Sequence, residues 1–203
     1  MPKITQLQAQ KKNKKRISVF VDNEYAFSVF DELAAIYHLE VGKDINTVEL
    51  KELFFEDEYK RAFSRAVKAI SYSEKSQKQI KELLEKTEFD EKVIARVLDR
   101  LDELDYVCDE RLAQEFVAKN SSLGSRAIKA KLKQKGISEE IIDSALLGND
   151  ETDAAKELAK RLMQKYASLD EFKRKKKISD FLARRGFLWD TISYAISCAE
   201  EEI

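Results

Sequence analysis

A single proline and five glycines in 203 residues leave this chain short of the residues that punctuate turns. That scarcity argues against a sandwich or barrel of short strands, which needs a turn signal roughly every 8–12 residues. Histidine is scarcer still: His38, inside the apolar "IYHLEV", is the only one. One histidine cannot supply a histidine metal cluster, and its setting predicts a packing role. Cys108 and Cys198 lie far apart without metal or redox spacing, and two reduced thiols are expected. No apolar run approaches the roughly 18 residues of a membrane span, and no charged-then-apolar leader opens the chain. The expectation is a soluble cytoplasmic protein with no membrane contact. Phosphate-binding "GxxxxGK" and "GxGxxG" patterns are missing, and no nucleophile stands with a base. An enzyme is therefore not expected, nor is a cofactor, a metal or a small-molecule substrate.

What the chain does have is charge, at 37% of residues against 43% apolar. With so few turn residues, that favours long surface helices. The net charge of −1 hides strong segregation. Residues 1–30 carry six basic and two acidic side chains, and residues 31–57 carry two and eight. From Lys119 to Ile137 there are six basic residues and no acid, whereas residues 138–158 have one lysine and seven acids. Residues 159–187 hold ten basic and three acidic residues. Such blocks can present local basic surfaces despite near-zero net charge; the bland alternative is solvated faces paired with their neighbours.

The first 57 residues differ from the rest. "RISVFV" and "YAFSVF" are rich in β-branched and aromatic residues, with turn chemistry at Asp22-Asn23-Glu24 between them. A strand from about Ile4 to Gln10 should join them across "KKNKK". "DELAAIYHLEVG" reads as a short helix with Asp31 as N-cap and Gly42 as stop. This β-element is too small to cover its own faces and should lean on the first helices after it. Lys11, Lys12, Lys14, Lys15 and Arg16, in or beside a hairpin loop, are candidate contacts for nucleic acid or an acidic protein, or an ordinary soluble turn.

Three later segments repeat one pattern: "IKELLEKTEFDEKVIARVL", "IKAKLKQKGISEEIIDSAL" and "ISDFLARRGFLWDTISYAI". Their apolar positions are Ile80, Leu84, Phe89, Ile94 and Leu98; Ile128, Leu132, Ile137, Ile142 and Leu146; and Ile178, Leu182, Phe187, Ile192 and Ile196. The spacing is 4, 5, 5, 4 each time. Each reads as a helix, a turn at Gly136 or Gly186, and a second helix whose preceding apolar residue packs on its first turn. Glu88 replaces glycine in the first copy, so its turn should differ slightly. Asp90 and Ser138 suit as N-caps, Leu188 does not, and "SQKQ" at Ser76 and "SLDE" at Ser168 are capping-box patterns. A further helix precedes each pair, carrying Leu112 and Phe116, Leu162 and Tyr166, or "YKRAFSRAVKAI". The expected fold is mainly α: tandem three-helix, helix-turn-helix-like repeats at 58–106, 107–150 and 151–203, stacked into an elongated curved body behind a β-element at 1–57.

Function must then lie on the surface. Arg126, Lys129 and Lys133 share one face of a helix, flanked by Lys131 and Lys135. In the third copy Lys173, Lys177 and Arg184 are spaced 4 and 7, beside Arg174 and Arg185. Aligned stripes of this kind could grip a polyanion or an acidic protein groove. The second helices open with "DEKVIARV", "SEEIIDSA" and "LWDTISYA", acidic or apolar, which argues against reading bases in a duplex groove.

"AISYSEKSQKQIKELL", "VLDRLDELDYVCDERLAQEF" and "SRAIKAKLKQKGI", in this order, resemble the RecX family, regulators of the RecA recombinase. "ITQLQAQKKNKKRISVFVDNEYAFSV" is similar to the N-terminal part of Gram-positive members. The likeness covers essentially the whole chain. Asp105 stands where the family commonly has glycine, and Cys108 where aspartate is usual, which puts one turn's geometry in question. The resemblance implies a monomer lying in the groove of the RecA–DNA filament, lowering ATPase, strand-exchange and coprotease activity in repair, recombination and the SOS response. Single-stranded DNA is an open second partner; a stand-alone nucleic-acid binder and an adaptor for another acidic partner are the alternatives.

Overall fold

The computed structural model describes residues 2–11 and 13–201. Three antiparallel strands, β1 (Ile4–Ala9), β2 (Arg16–Val21) and β3 (Glu24–Phe30), form a sheet in sequence order. The β2–β3 turn places Asp22 and Asn23 at φ 50° and 69°. Two successive left-handed residues give the turn twist that a tight hairpin needs, and short polar side chains tolerate them.

Helix α1 (Asp31–Ile36) is shorter than expected. Its N-cap is Phe30, with Asp31 already in the first turn. The chain leaves it through His38, at φ 49°, so Gly42 is not the stop. His38 is exposed rather than packed. The neighbouring Tyr37 and Leu39 take the inward positions, in a core of Ile4, Val19, Val29, Leu33, Ala34 and Leu53.

Leu53 belongs to α2 (Thr47–Tyr72), a 26-residue helix that runs through the 57/58 boundary expected from sequence. One buried pair explains this continuity. The Asp57 carboxylate, only 6% exposed, accepts two hydrogen bonds from the Arg16 guanidinium at 3.1 Å and one from Phe30 N–H at 3.0 Å. Arg61, one turn further on, adds a third cationic contact at 3.2 Å. The first half of α2 thus belongs to the sheet, as expected of an element that cannot cover itself.

The remaining helices are α3 (Gln77–Glu85), α4 (Glu91–Glu103), α5 (Asp109–Lys119), α6 (Ser125–Lys135), α7 (Glu139–Leu146), α8 (Thr152–Lys165), α9 (Glu171–Arg184) and α10 (Trp189–Glu201). They form three-helix repeats, α2–α4, α5–α7 and α8–α10, the first helix of each packing on the third. The repeated apolar positions are the core: Ile80, Leu84, Ile94, Ile128, Leu132, Ile137, Ile142, Ile178, Leu182, Phe187, Ile192 and Ile196 are buried. Phe89, Leu98 and Leu146 are half-buried. In the first repeat Arg96 braces α4 to α2, bonding Glu56 at 2.5 Å and lying 4.3 Å over the Tyr59 ring. By contacts the chain divides into two compact units: its start to Tyr72 with Lys81–Leu104, and Ser73–Ile80 with Asp105 onward.

Capping largely follows the sequence. Asp90 accepts from Lys92 N–H and Ser138 from Ile141 N–H. Ser76 and Gln79 form a reciprocal capping box. In "SLDE", however, Asp170 is the cap and accepts from Lys173 N–H, so α9 starts two residues later than the serine implied. Cys108 caps α5 through its sulfur, accepting from Arg111 N–H, and Asp105 holds a left-handed φ of 53°. The two departures from the family pattern therefore keep the turn, with the Asp105 carboxylate tied to Arg111 at 2.7 Å.

Candidate interaction surface

Two joints within the second unit hold the positions of the basic helices, and they are built alike. At the first, Ser76 Oγ donates to Lys135 O, and Gln77 N–H donates to the Asp109 carboxylate. At the second, Gly124 N–H donates to Arg185 O, and Ser125 N–H donates to the Glu151 carboxylate. Shifting the first set by the repeat spacing gives the second: 76 becomes 124, 77 becomes 125, and 135 becomes 185. In each joint the turn before a third helix abuts the start of the preceding repeat's second helix, and a carboxylate from a first helix or its cap binds the open N–H there.

The turn glycines serve this approach. Gly136 and Gly186 both sit at φ 86°. A Cβ at Gly186 would lie 2.4 Å from Ala127 N, and one at Gly124 2.1 Å from Phe187 N. Glu88, the corresponding residue of the first repeat, has φ 58° and is exposed. Its turn therefore does not differ in hand. It differs in leaving room for a side chain.

Glu151 is the residue that sequence reading missed. Only 7% exposed, it accepts from Ser125 N–H at 2.5 Å, Ser125 Oγ at 2.6 Å and Leu188 N–H at 3.0 Å. It supplies from a distance the cap that Leu188 cannot provide for α10. Burial pushes its carboxyl up, but the hydrogen bonds from Leu188 and Ser125 outweigh burial and hold it below the ordinary value of 4.5. Asp109 goes the other way: burial dominates the single bond from Gln77 and raises it.

The candidate cations fall into two groups. Arg16 is turned inward on Asp57 and Ser28, with its guanidinium 5.0 Å over the Phe30 ring, so it is committed to the fold. Lys129 bonds Asp143 at 2.8 Å and Glu139 at 2.9 Å, and Lys133 bonds Glu139 at 3.0 Å. These four close the groove between α6 and α7. The Asp143 and Glu139 carboxylates hold the Lys129 ammonium above its ordinary value, and Lys129 and Lys133 hold Glu139 below its own. Lys173 is paired with Asp170 at 3.1 Å. Lys177 lies 5.4 Å over the Tyr166 ring and Arg185 5.3 Å over the Phe181 ring, both without an ion pair among the described residues. Arg126, Lys131, Lys176 and Arg184 likewise have no acidic partner among the described residues. Lys11, Lys14 and Lys15 are exposed in the β1–β2 loop, and Lys12 lies outside the described residues.

Among the described residues no group of three or more His, Cys, Asp and Glu side chains could hold a metal. No helix there is long and apolar enough to cross a membrane.

The order of a three-stranded element followed by three three-helix repeats can be set against known proteins. Four family models match in that order: the regulatory protein RecX N-terminal domain at residues 2–46, and the first, second and third RecX three-helix domains at 62–101, 109–146 and 149–196. The chain belongs to the RecX family. It is 38% identical over 197 residues to the regulatory protein RecX of Clostridium acetobutylicum, covering 93% of this chain and 92% of that one. With the regulatory protein RecX of Bacillus subtilis it shares 33% identity over 208 residues, covering 100% and 79%. A crystal structure of regulatory protein RecX superposes with a TM-score of 0.73 at 26% identity, covering 95% and 98%. RecX from Lactobacillus salivarius shares the fold, with a TM-score of 0.68 over 71% of this chain. The chain is thus a RecX-family regulatory protein by sequence and by fold.

Proposed function

We propose that this RecX-family protein acts in the cytoplasm as a monomer that binds the RecA–DNA filament and restrains it, lowering RecA's ATP hydrolysis and strand exchange. It does so by contact and carries out no chemistry. The observation that supports the reading is the basic residue set of α6 and α9, held by the paired joints. Arg126, Lys131, Lys176, Lys177, Arg184 and Arg185 remain free of ion pairs there among the described residues, while the neighbouring lysines are neutralised. An acidic groove on a protein filament, or the DNA within it, is the complementary surface.

The test is RecA's single-stranded-DNA-dependent ATP hydrolysis with and without this protein at stoichiometric amounts. Inhibition is expected. A variant with Arg126, Lys177, Arg184 and Arg185 changed to glutamine should need about tenfold more protein for the same effect, each rim charge contributing up to ~1 kcal/mol. Unchanged hydrolysis and strand exchange with the native chain would refute the regulator. Equal inhibition by native and variant chains would keep it and discard this surface.

A further inference from the structure

The groove between the second and third helices recurs at equivalent positions in every repeat, and its lining has diverged. In the second repeat Lys129, Lys133, Glu139 and Asp143 bridge it with ion pairs. In the first, Lys81, Glu85, Glu91 and Ala95 leave a groove of about 400 Å³ with charged rims of both signs. In the third, the same four positions are Ser179, Ala183, Trp189 and Ser193, and the groove opens to about 460 Å³. The first two repeats place a glutamate where the third places an indole. Trp189 is 68% exposed, and Phe172, on the same groove, is 76% exposed.

Two exposed rings on one groove are costly to leave in water unless something covers them. The surrounding charge indicates what. Lys176 lines the groove without an ion pair among the described residues, Lys175 lines it while bonded to Glu171 and Glu200, and Lys173, Arg174 and Lys177 belong to the same helix. With tryptophan in place of Glu91 and Glu139, Asp180 is the one carboxylate on the lining, set against Lys175 and Lys176. The lining is mixed: Ser179 and Ser193 stand with Ala183 and Ile196, so it offers hydroxyls to a flat group with hydrogen-bonding edges as well as apolar surface. Aromatic faces beside a basic track are the general means of holding a single strand without reading its sequence.

We propose that the α9–α10 groove of the third repeat is a binding site for single-stranded nucleic acid, with bases stacked on Trp189 and Phe172 and the backbone held by Lys176 and its neighbours. The site needs no recombinase, so it goes beyond the filament reading and can fail without it. It also differs from a helix inserted in a duplex groove, because the indole meets unpaired bases.

Trp189 is the only tryptophan, so its emission reports this site alone. The full-length protein is titrated with an oligothymidylate, with a duplex of equal length, and with polyglutamate, under tryptophan-selective excitation and without recombinase. Saturable quenching by the single strand, weak with the duplex, is expected. In parallel, anisotropy of a labelled strand should show Trp189→Glu weakening binding about tenfold or more and Phe172→Ala severalfold, with Trp189→Phe close to native. Both positions are exposed, so the thermal melting of each variant should match the parent. Quenching by polyglutamate as strong as by the strand would assign the groove to an acidic polypeptide and overturn the proposal. So would strand binding with unchanged emission, full affinity in Trp189→Glu, or no binding at all.

Discussion

Single residues in this protein are informative when their neighbours are distant in sequence. Asp57 and Arg16 illustrate this: truncating Arg16 to alanine leaves a carboxylate only 6% exposed without its main partner. That should destabilise the sheet and the first half of α2 by about 3 kcal/mol, read as a lowered urea midpoint. The two carboxylates at the joints predict opposite behaviour. Glu151 is held below 4.5, so its contribution is complete near neutral pH and is lost as pH falls through its folded value. Glu151→Gln should therefore cost stability at pH 7, about 1–3 kcal/mol, and the loss should shrink in acid. Asp109 is raised by burial, so its charged form is disfavoured in the fold. Asp109→Asn keeps an oxygen for Gln77 N–H and should be neutral or slightly stabilising at pH 7, measured in the same urea series.

At the scale of the element, glycine matters through what lies opposite it. Gly136 and Gly186 share a φ of 86°, so alanine is strained at both. At Gly136 the new Cβ meets Lys78 Cδ at 2.2 Å, which can swing away, and Lys78 Cβ at 2.7 Å, which cannot; at Gly186 it meets the Ala127 backbone at 2.4 Å. Both Gly136→Ala and Gly186→Ala should cost more than the ~1 kcal/mol of backbone strain alone, Gly186→Ala the more because every atom it meets is fixed, by thermal melting. Gly124→Ala should match the severe case despite an ordinary φ of −74°, because Phe187 N stands 2.1 Å away. The α6–α7 ion pairs make a different prediction. Glu139→Gln with Asp143→Asn releases Lys129 and Lys133, and such a variant should inhibit RecA ATP hydrolysis at lower protein concentration than the parent.

Across the whole molecule, what sequence conveys and what it hides divide along one physical line. Periodic apolar positions are local, and the 4, 5, 5, 4 spacing yielded the repeats, their staples and most caps. The strands were equally plain in "RISVFV" and "YAFSVF". What stayed hidden depends on which helices meet. Glu151 looked like one more acid in an acidic block, yet it caps two helices from other segments. Lys129 and Lys133 read as a free basic stripe, although Glu139 and Asp143 share their four-residue spacing and so could face them across a turn. That matched spacing was the available signal. His38 misled because "IYHLEV" looks apolar while its backbone turns left-handed and puts the ring outside.

The joint that recurs at Ser76 and Gly124 takes another form in the third repeat. Each of these is a small residue standing just before its helix, and each receives the next turn at close range. The corresponding place in the third copy is Arg174, and there α9 has already begun, its cap lying back at Asp170. An extra turn of helix and an arginine, its Nε buried without a partner, stand where the first two repeats place a small residue ahead of the helix. The start of α9 is thus shaped differently from the starts of α3 and α6, which receive a turn.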